Sequence, residues 1–200
     1  MSEHRLQRLS ATSHFKNPPV PKPTLEDDAQ PPTGNSIISN SIYDNDFLGI
    51  DLVFANDPAG VTKNDLAPPD NDTGPNNLQN FPGITSARLT TRRIGGHRRK
   101  VTLIKGTLNS EADKTYNVQF FGSPEADNPP NTTPTGYGEG KTFLGQKNVT
   151  TNTSGDATFT FSTRKKVPKG QGVTATATNL STGDTSEFSK ACMVPGVPCL

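Results

Sequence analysis

Residues 35–52 read Asn-Ser-Ile-Ile-Ser, Asn-Ser-Ile-Tyr-Asp, Asn-Asp-Phe-Leu-Gly, Ile-Asp-Leu, a ladder of period five. Asn35, Asn40 and Asn45 stand in register, and Ile37, Ile42 and Phe47 follow two places behind. A helix repeats its buried face every ~3.6 residues and a strand every ~2. A period of five fits neither. It fits short extended segments joined by tight Asn corners, as in one coil of a parallel β-helix. Such a coil cannot bury its apolar side alone and needs neighbours stacked on it. The ladder occurs about once, so the expectation is a remnant β-helix coil with its following loop over residues 34–83, attached to a different domain.

From Val101 the pattern changes to alternation. Tyr116, Val118 and Phe120 share one side of a strand, with Asn117 and Gln119 on the other. Ala157, Phe159 and Phe161 alternate with Thr158, Thr160 and Ser162, and Val173, Ala175 and Ala177 with Thr174, Thr176 and Thr178. Each reads as a half-buried antiparallel strand. Residues 84–89, 101–108, 141–150 and 185–190 read as further strands, with polar turns such as Thr153-Ser154-Gly155-Asp156 between them. Short strands with turns at this spacing predict an all-β chain with an immunoglobulin-like antiparallel sandwich over residues 84–192. The segment RRIGGHRRK (92–100) reads as a basic linker, and residues 193–200 as a C-terminal tail. Residues 1–33, with NPPVPKP and QPPTG, carry no apolar periodicity and predict a disordered Pro-rich tail.

Composition narrows the function. With 18 Gly, 18 Pro, no Trp and 30% apolar residues, the chain has the core formers for one domain of roughly 100 residues but not for twice that. A net charge of +1 gives no global field toward nucleic acid. No run of ~18 apolar residues predicts membrane insertion. The N-terminus MSEHRLQRLSATSHF has no apolar signal region. Cys192 and Cys199 form no multi-disulfide framework and fit no zinc spacing; they read as two inert tail thiols, or as a small loop in an oxidising compartment.

Candidate chemistry gathers in the loop after the ladder. Asn64-Asp65 precedes Asp70, Asp72, Gly74 and Asn76-Asn77. Alternating oxygen donors around a tight turn suit calcium, which takes six to eight oxygens. The candidate ligands are Asp65, Asp70, Asp72 and Asn76, and the alternative is a run of Asx-turns. Tyr137, in Gly136-Tyr137-Gly138-Glu139-Gly140, is the candidate for stacking on a sugar ring, or it packs within a tight turn. Glu111, Asp113, Glu125, Asp127 and Glu139 are scattered near predicted turns and read as loop charges rather than a glycosidase pair. His4, His14 and His97 lie in the tail and a Gly-rich linker, so none reads as a held catalytic base. No catalytic residue is expected.

The combination NNLQNFP, then GYGEG-x-TFLG, then TSEFS resembles the C-terminal region of large secreted bacterial proteins. Those proteins carry right-handed parallel β-helix repeats of the CSLREA type. The resemblance covers residues 34–192 and departs at the insert NPPNTTPT and at residues 1–33. It implies a last β-helix coil, a loop and a β-sandwich, an extracellular or cell-surface location, and no established enzymatic activity. The expected function is a structural or adhesion module that caps a stalk, with surface glycans or other cell-surface proteins as partners. The alternative is a carbohydrate-binding module using Tyr137 and Phe143.

Overall fold

Alternation over 116–120 sends Tyr116, Val118 and Phe120 into a core, and two strands of like pattern close that core from either side. The structure is a computed structural model and describes residues 30–53, 60–65, 70, 72–123, 136–195 and 199. The expected tail falls almost wholly outside those residues. The strands are β1 (Gly83–Ile94), β2 (His97–Asn109), β3 (Thr115–Ser123), β4 (Thr142–Thr150), β5 (Asp156–Thr163), β6 (Gly172–Asn179) and β7 (Cys192–Met193). They form two antiparallel sheets, ordered β1-β2-β5 and β4-β3-β6-β7. The chain is therefore an all-β sandwich, with no α-helix among the described residues. The stretches 34–83, 84–192 and 193–200 all lie within one compact unit, Pro31–Leu200.

Between the sheets, Tyr116, Val118, Phe120, Val173, Ala175 and Ala177 from one side meet Ala87, Ile104, Leu108 and Phe159 from the other. The Phe120 ring stacks on Phe161 at 4.5 Å and tilts against Phe159 at 5.5 Å. Gly106 lies directly under Phe159 and beside the Gly83 carbonyl, where a Cβ would collide with both. Absence of a side chain there lets β1 and the ring close over β2.

The structure corrects the reading of β3 and β6 as half-buried strands. Every residue of β6 is buried, and so is nearly all of β3. The polar side of the second sheet is roofed by the ladder and by residues 183–190. Ile37, Ile42, Ile50 and Leu52 pack with Phe121, Phe143 and Phe188 into a second apolar cluster on that side. Phe121 meets Phe188 edge-on at 5.4 Å. Gly140 is pressed against both rings and leaves no room for a Cβ.

The ladder forms no strand. Its only β pairing is a single bridge, Ile42 to Gly140. Its period instead shows in the backbone, since Gly34, Ser39 and Asp44 take left-handed conformations at φ 77°, 60° and 58°. These corners come one residue before each Asn rather than on it. Register also breaks at the third rung: Phe47 is exposed, and Ile50 and Leu52 take the buried places.

Three further expectations change. Residues 92–100 are not a linker; they complete a long β1–β2 hairpin around a Gly95-Gly96 turn. Residues 185–190 make isolated bridges at Thr185 and Lys190 rather than a strand, because Ser186 and Ser189 hydroxyls take the Ala177 and Ala175 N–H groups. Cys192 and Cys199 are joined in a disulfide, and the Cys199 N–H donates to the Thr85 carbonyl, so the tail is tied beside β1.

Candidate functional site

One carboxylate oxygen from each of Asp65, Asp70 and Asp72 lies within 4.8 Å of the others. Calcium takes oxygens at ~2.4 Å, so a cluster of this spread is close enough for the three to share one ion. The loop is held there by its neighbours. Asn64 accepts the Phe81 N–H at 2.9 Å and donates to the Phe81 carbonyl at 2.8 Å. Asn80 Nδ2 donates to Asp65 Oδ1 at 2.8 Å. Ser110 Oγ donates to Asp70 Oδ2 at 2.7 Å, and itself accepts from Gln79 Nε2 and Tyr116 Oη. Thus the turn after β2 and the core tyrosine of β3 both support the site.

Electrostatics fit an unfilled demand for positive charge. Burial, with the repulsion of Asp65, Asp72 and Glu111, pushes the Asp70 carboxyl up to about 6 against the pull of its Ser110 bond. Burial and Asp65 also push Asp72 upward. Asn80 is 1% exposed, and its Oδ1 has no hydrogen-bond partner although its amide reaches the cluster through Asp65. Among the described residues no cationic side chain forms an ion pair with these acids; the ion pair there joins Lys114 and Glu111.

Asn76, the fourth expected ligand, is not in this cluster. Pro75–Leu78 form a tight turn in which Asn76, Asn77 and Leu78 adopt left-handed φ of 49°, 48° and 45°. That turn aims the Asn76 side chain at the ladder. Its Oδ1 accepts from Asn35 N and Nδ2, and its Nδ2 donates to the Asn35 and Thr185 carbonyls. All its capacity is used, so it fixes the first ladder corner. Asn80 is the amide that reaches the cluster instead, as a donor to Asp65.

Tyr137 is half-buried and packs edge-on against Phe81 at 5.4 Å. It lines a cavity of ≈ 210 Å³ with Phe81, Pro82, Ile84, Lys190 and Cys199. Phe143 is half-buried in the ladder cluster, with the Lys165 ammonium 5.4 Å from its ring centre. Glu111 and Asp113 lie at the turn before β3, His97 at the hairpin tip, and Glu125 and Asp127 outside the described residues.

Sequence reasoning missed the acids that hold the ladder down. Glu139, Asp184 and Glu187 are 1–2% exposed. Asp184 accepts the Gly34 N–H, Thr185 Oγ1 that of Ile37, Gln119 that of Ser39 and Glu139 that of Asn45. Glu187 accepts from Leu52 and Thr62. A detectable signal existed: acids set among Gly, Ser, Thr and Phe in GYGEG and GDTSEFS. No family profile matches this chain, and no curated protein matches it.

Proposed function

We propose that the chain is a non-enzymatic structural or adhesion module of the cell surface, an immunoglobulin-like sandwich that closes the end of a β-helix stalk. One observation carries this reading. The ladder turns a left-handed corner at every fifth residue, while Ile38, Tyr43 and Phe47 stand 42%, 41% and 53% exposed along it. A lone layer with apolar side chains on its outer side suits a further coil stacked there, as solenoid repeats require. The strand order β1-β2-β5 against β4-β3-β6-β7 supports the immunoglobulin-like assignment, with the fourth strand placed on the second sheet. Calcium held by Asp65, Asp70 and Asp72 stiffens the join between ladder and sandwich. The carbohydrate-binding alternative would rest on Tyr137, whose half-buried ring packs on Phe81.

The test is to fuse in-register five-residue ladder coils ahead of Gly34 and to measure melting temperature and binding of an apolar dye. Stacking raises the melting temperature and removes dye binding, and Ile38→Asp/Phe47→Asp reverses both. Unchanged melting and dye binding on fusion would rule out the stalk reading.

A further inference from the structure

We propose that the distal β1–β2 hairpin is an arm that docks, tip first, on an anionic lipid surface. The proposal does not depend on the stalk reading. β5 pairs with β2 only over 102–109, whereas β1 pairs with β2 out to Ile94 and His97. Among the described residues, 91–100 therefore have no strand partner but each other, and all are exposed. A Cβ placed at Gly95 or Gly96 meets nothing within 4 Å, so the tip stands clear of the body.

This free ribbon is basic on both sides. Arg92 lies opposite Arg99, and Arg93 opposite Arg98, with Lys100 facing Thr91. Residues directly opposite share a face and successive residues alternate. So one guanidinium pair points to each side. Like charges set opposite each other destabilise a hairpin. Among the described residues no acid forms an ion pair with them. An anionic partner supplies what the fold withholds.

The tip decides which partner. Ile94, 44% exposed, stands beside the Gly95-Gly96 turn, ahead of the arginines and across from His97. Protection of an edge strand from aggregation uses charges but not an exposed isoleucine. A soluble polyanion has no use for it either, and base stacking needs aromatics that the ribbon lacks. A bilayer interface uses both parts. The apolar tip enters the acyl boundary, and cations from both sides reach headgroup phosphates at one depth.

The experiment is sedimentation of the full chain with phosphatidylcholine vesicles and with vesicles enriched in phosphatidylglycerol, alongside retention on heparin. Binding is expected only to the anionic vesicles and falls as salt rises. Arg93→Gln/Arg98→Gln weakens it by roughly thirtyfold, at about fivefold per cation. Ile94→Ser weakens vesicle binding several-fold and leaves heparin retention unchanged. Lys114→Gln/Lys147→Gln, past the other end of β2 and in the middle of β4, leaves both unchanged. The proposal fails if anionic and neutral vesicles bind alike, or if the Lys114/Lys147 variant loses as much as the arginine variant. It fails also if Ile94→Ser has no effect on vesicles while heparin competes fully; that result makes the ribbon an arm for soluble polyanions instead.

Discussion

Glu187 Oε1 accepts the backbone N–H of Leu52 at 2.9 Å, and its second oxygen takes Thr62, so one buried carboxylate closes the loop between them. Truncation removes both acceptors at once and leaves two backbone donors without their partner. Glu187→Ala is expected to lower stability by about 2–4 kcal/mol, measured by urea unfolding, at ~1–3 kcal/mol for each buried group left unsatisfied. A loss within ~0.5 kcal/mol would show that the ladder does not rest on this clamp.

Burial pushes Glu187 up to about 7, with Asp51 adding to the rise and the two backbone bonds opposing it. Asp70 is pushed up to about 6. Both groups hold protons in the folded state that the unfolded chain has already released above its ordinary carboxyl values. The folded chain binds more protons, so stability falls as pH rises from about 4 through about 7. In chelator, the melting temperature at pH 5 should exceed that at pH 8. Glu187→Gln should flatten the upper part of this slope, and Asp70→Asn the lower part. A melting temperature that climbs steadily from pH 5 to pH 8 would contradict the raised values.

Calcium should reverse the pH trend locally. Its ligands must be ionised, so protons compete with it as pH falls through about 6 at Asp70. Calorimetric titration should give binding heat at pH 7.5, less at pH 5, and none in Asp70→Asn/Asp72→Asn. The stabilisation is about 2.7 kcal/mol at a hundredfold excess over the dissociation constant. Asn76→Ala separates the two roles of this loop. It should weaken the fold through Asn35 and Thr185 and leave the calcium heat intact. Equal loss of heat in Asn76→Ala would return it to the ligand set.

Phe159 is 4% exposed and touches the Phe120 ring. Phe159→Ala should therefore lower stability by about 3–5 kcal/mol. Gly106→Ala tests the same contact from below. Its new methyl must displace either the ring or the Gly83 backbone, so a loss of about 1–3 kcal/mol is expected by denaturant unfolding. Tolerance of both would mean that β1 and β5 do not close over β2 in this way.

The inner core was legible because alternation reports it directly: Tyr116, Val118, Phe120, Phe159 and Ala175 all face as their neighbours predict. The outer layer was not. Asn117, Gln119, Thr174 and Thr176 read as solvent-facing because they are polar, yet all are buried, Gln119 against Ser39 of the ladder and Thr174 against Glu139. Polar residues can roof a buried face when their groups are satisfied by another segment, and no periodicity announces the segment. The hairpin was missed for a related reason. Arginines oppose the usual strand composition, and only the Gly95-Gly96 turn between two runs of β-compatible spacing marked it. At the acidic loop, the three aspartates were legible from their spacing. Asn80 was not, since it lies beyond the left-handed turn that carries Asn76 away.

A strand bonded along its length resists a pull by loading all its bonds together. The ladder has no such ladder of bonds. Asp184, Thr185, Gln119, Glu139 and Glu187 each grip one rung through a separate side chain. Tension entering from the N-terminal side meets these grips in sequence, at Gly34, Ile37, Ser39, Asn45 and Leu52. The segment therefore pays out chain in steps, each rung yielding before the next takes the load, while the two sheets behind it stay intact.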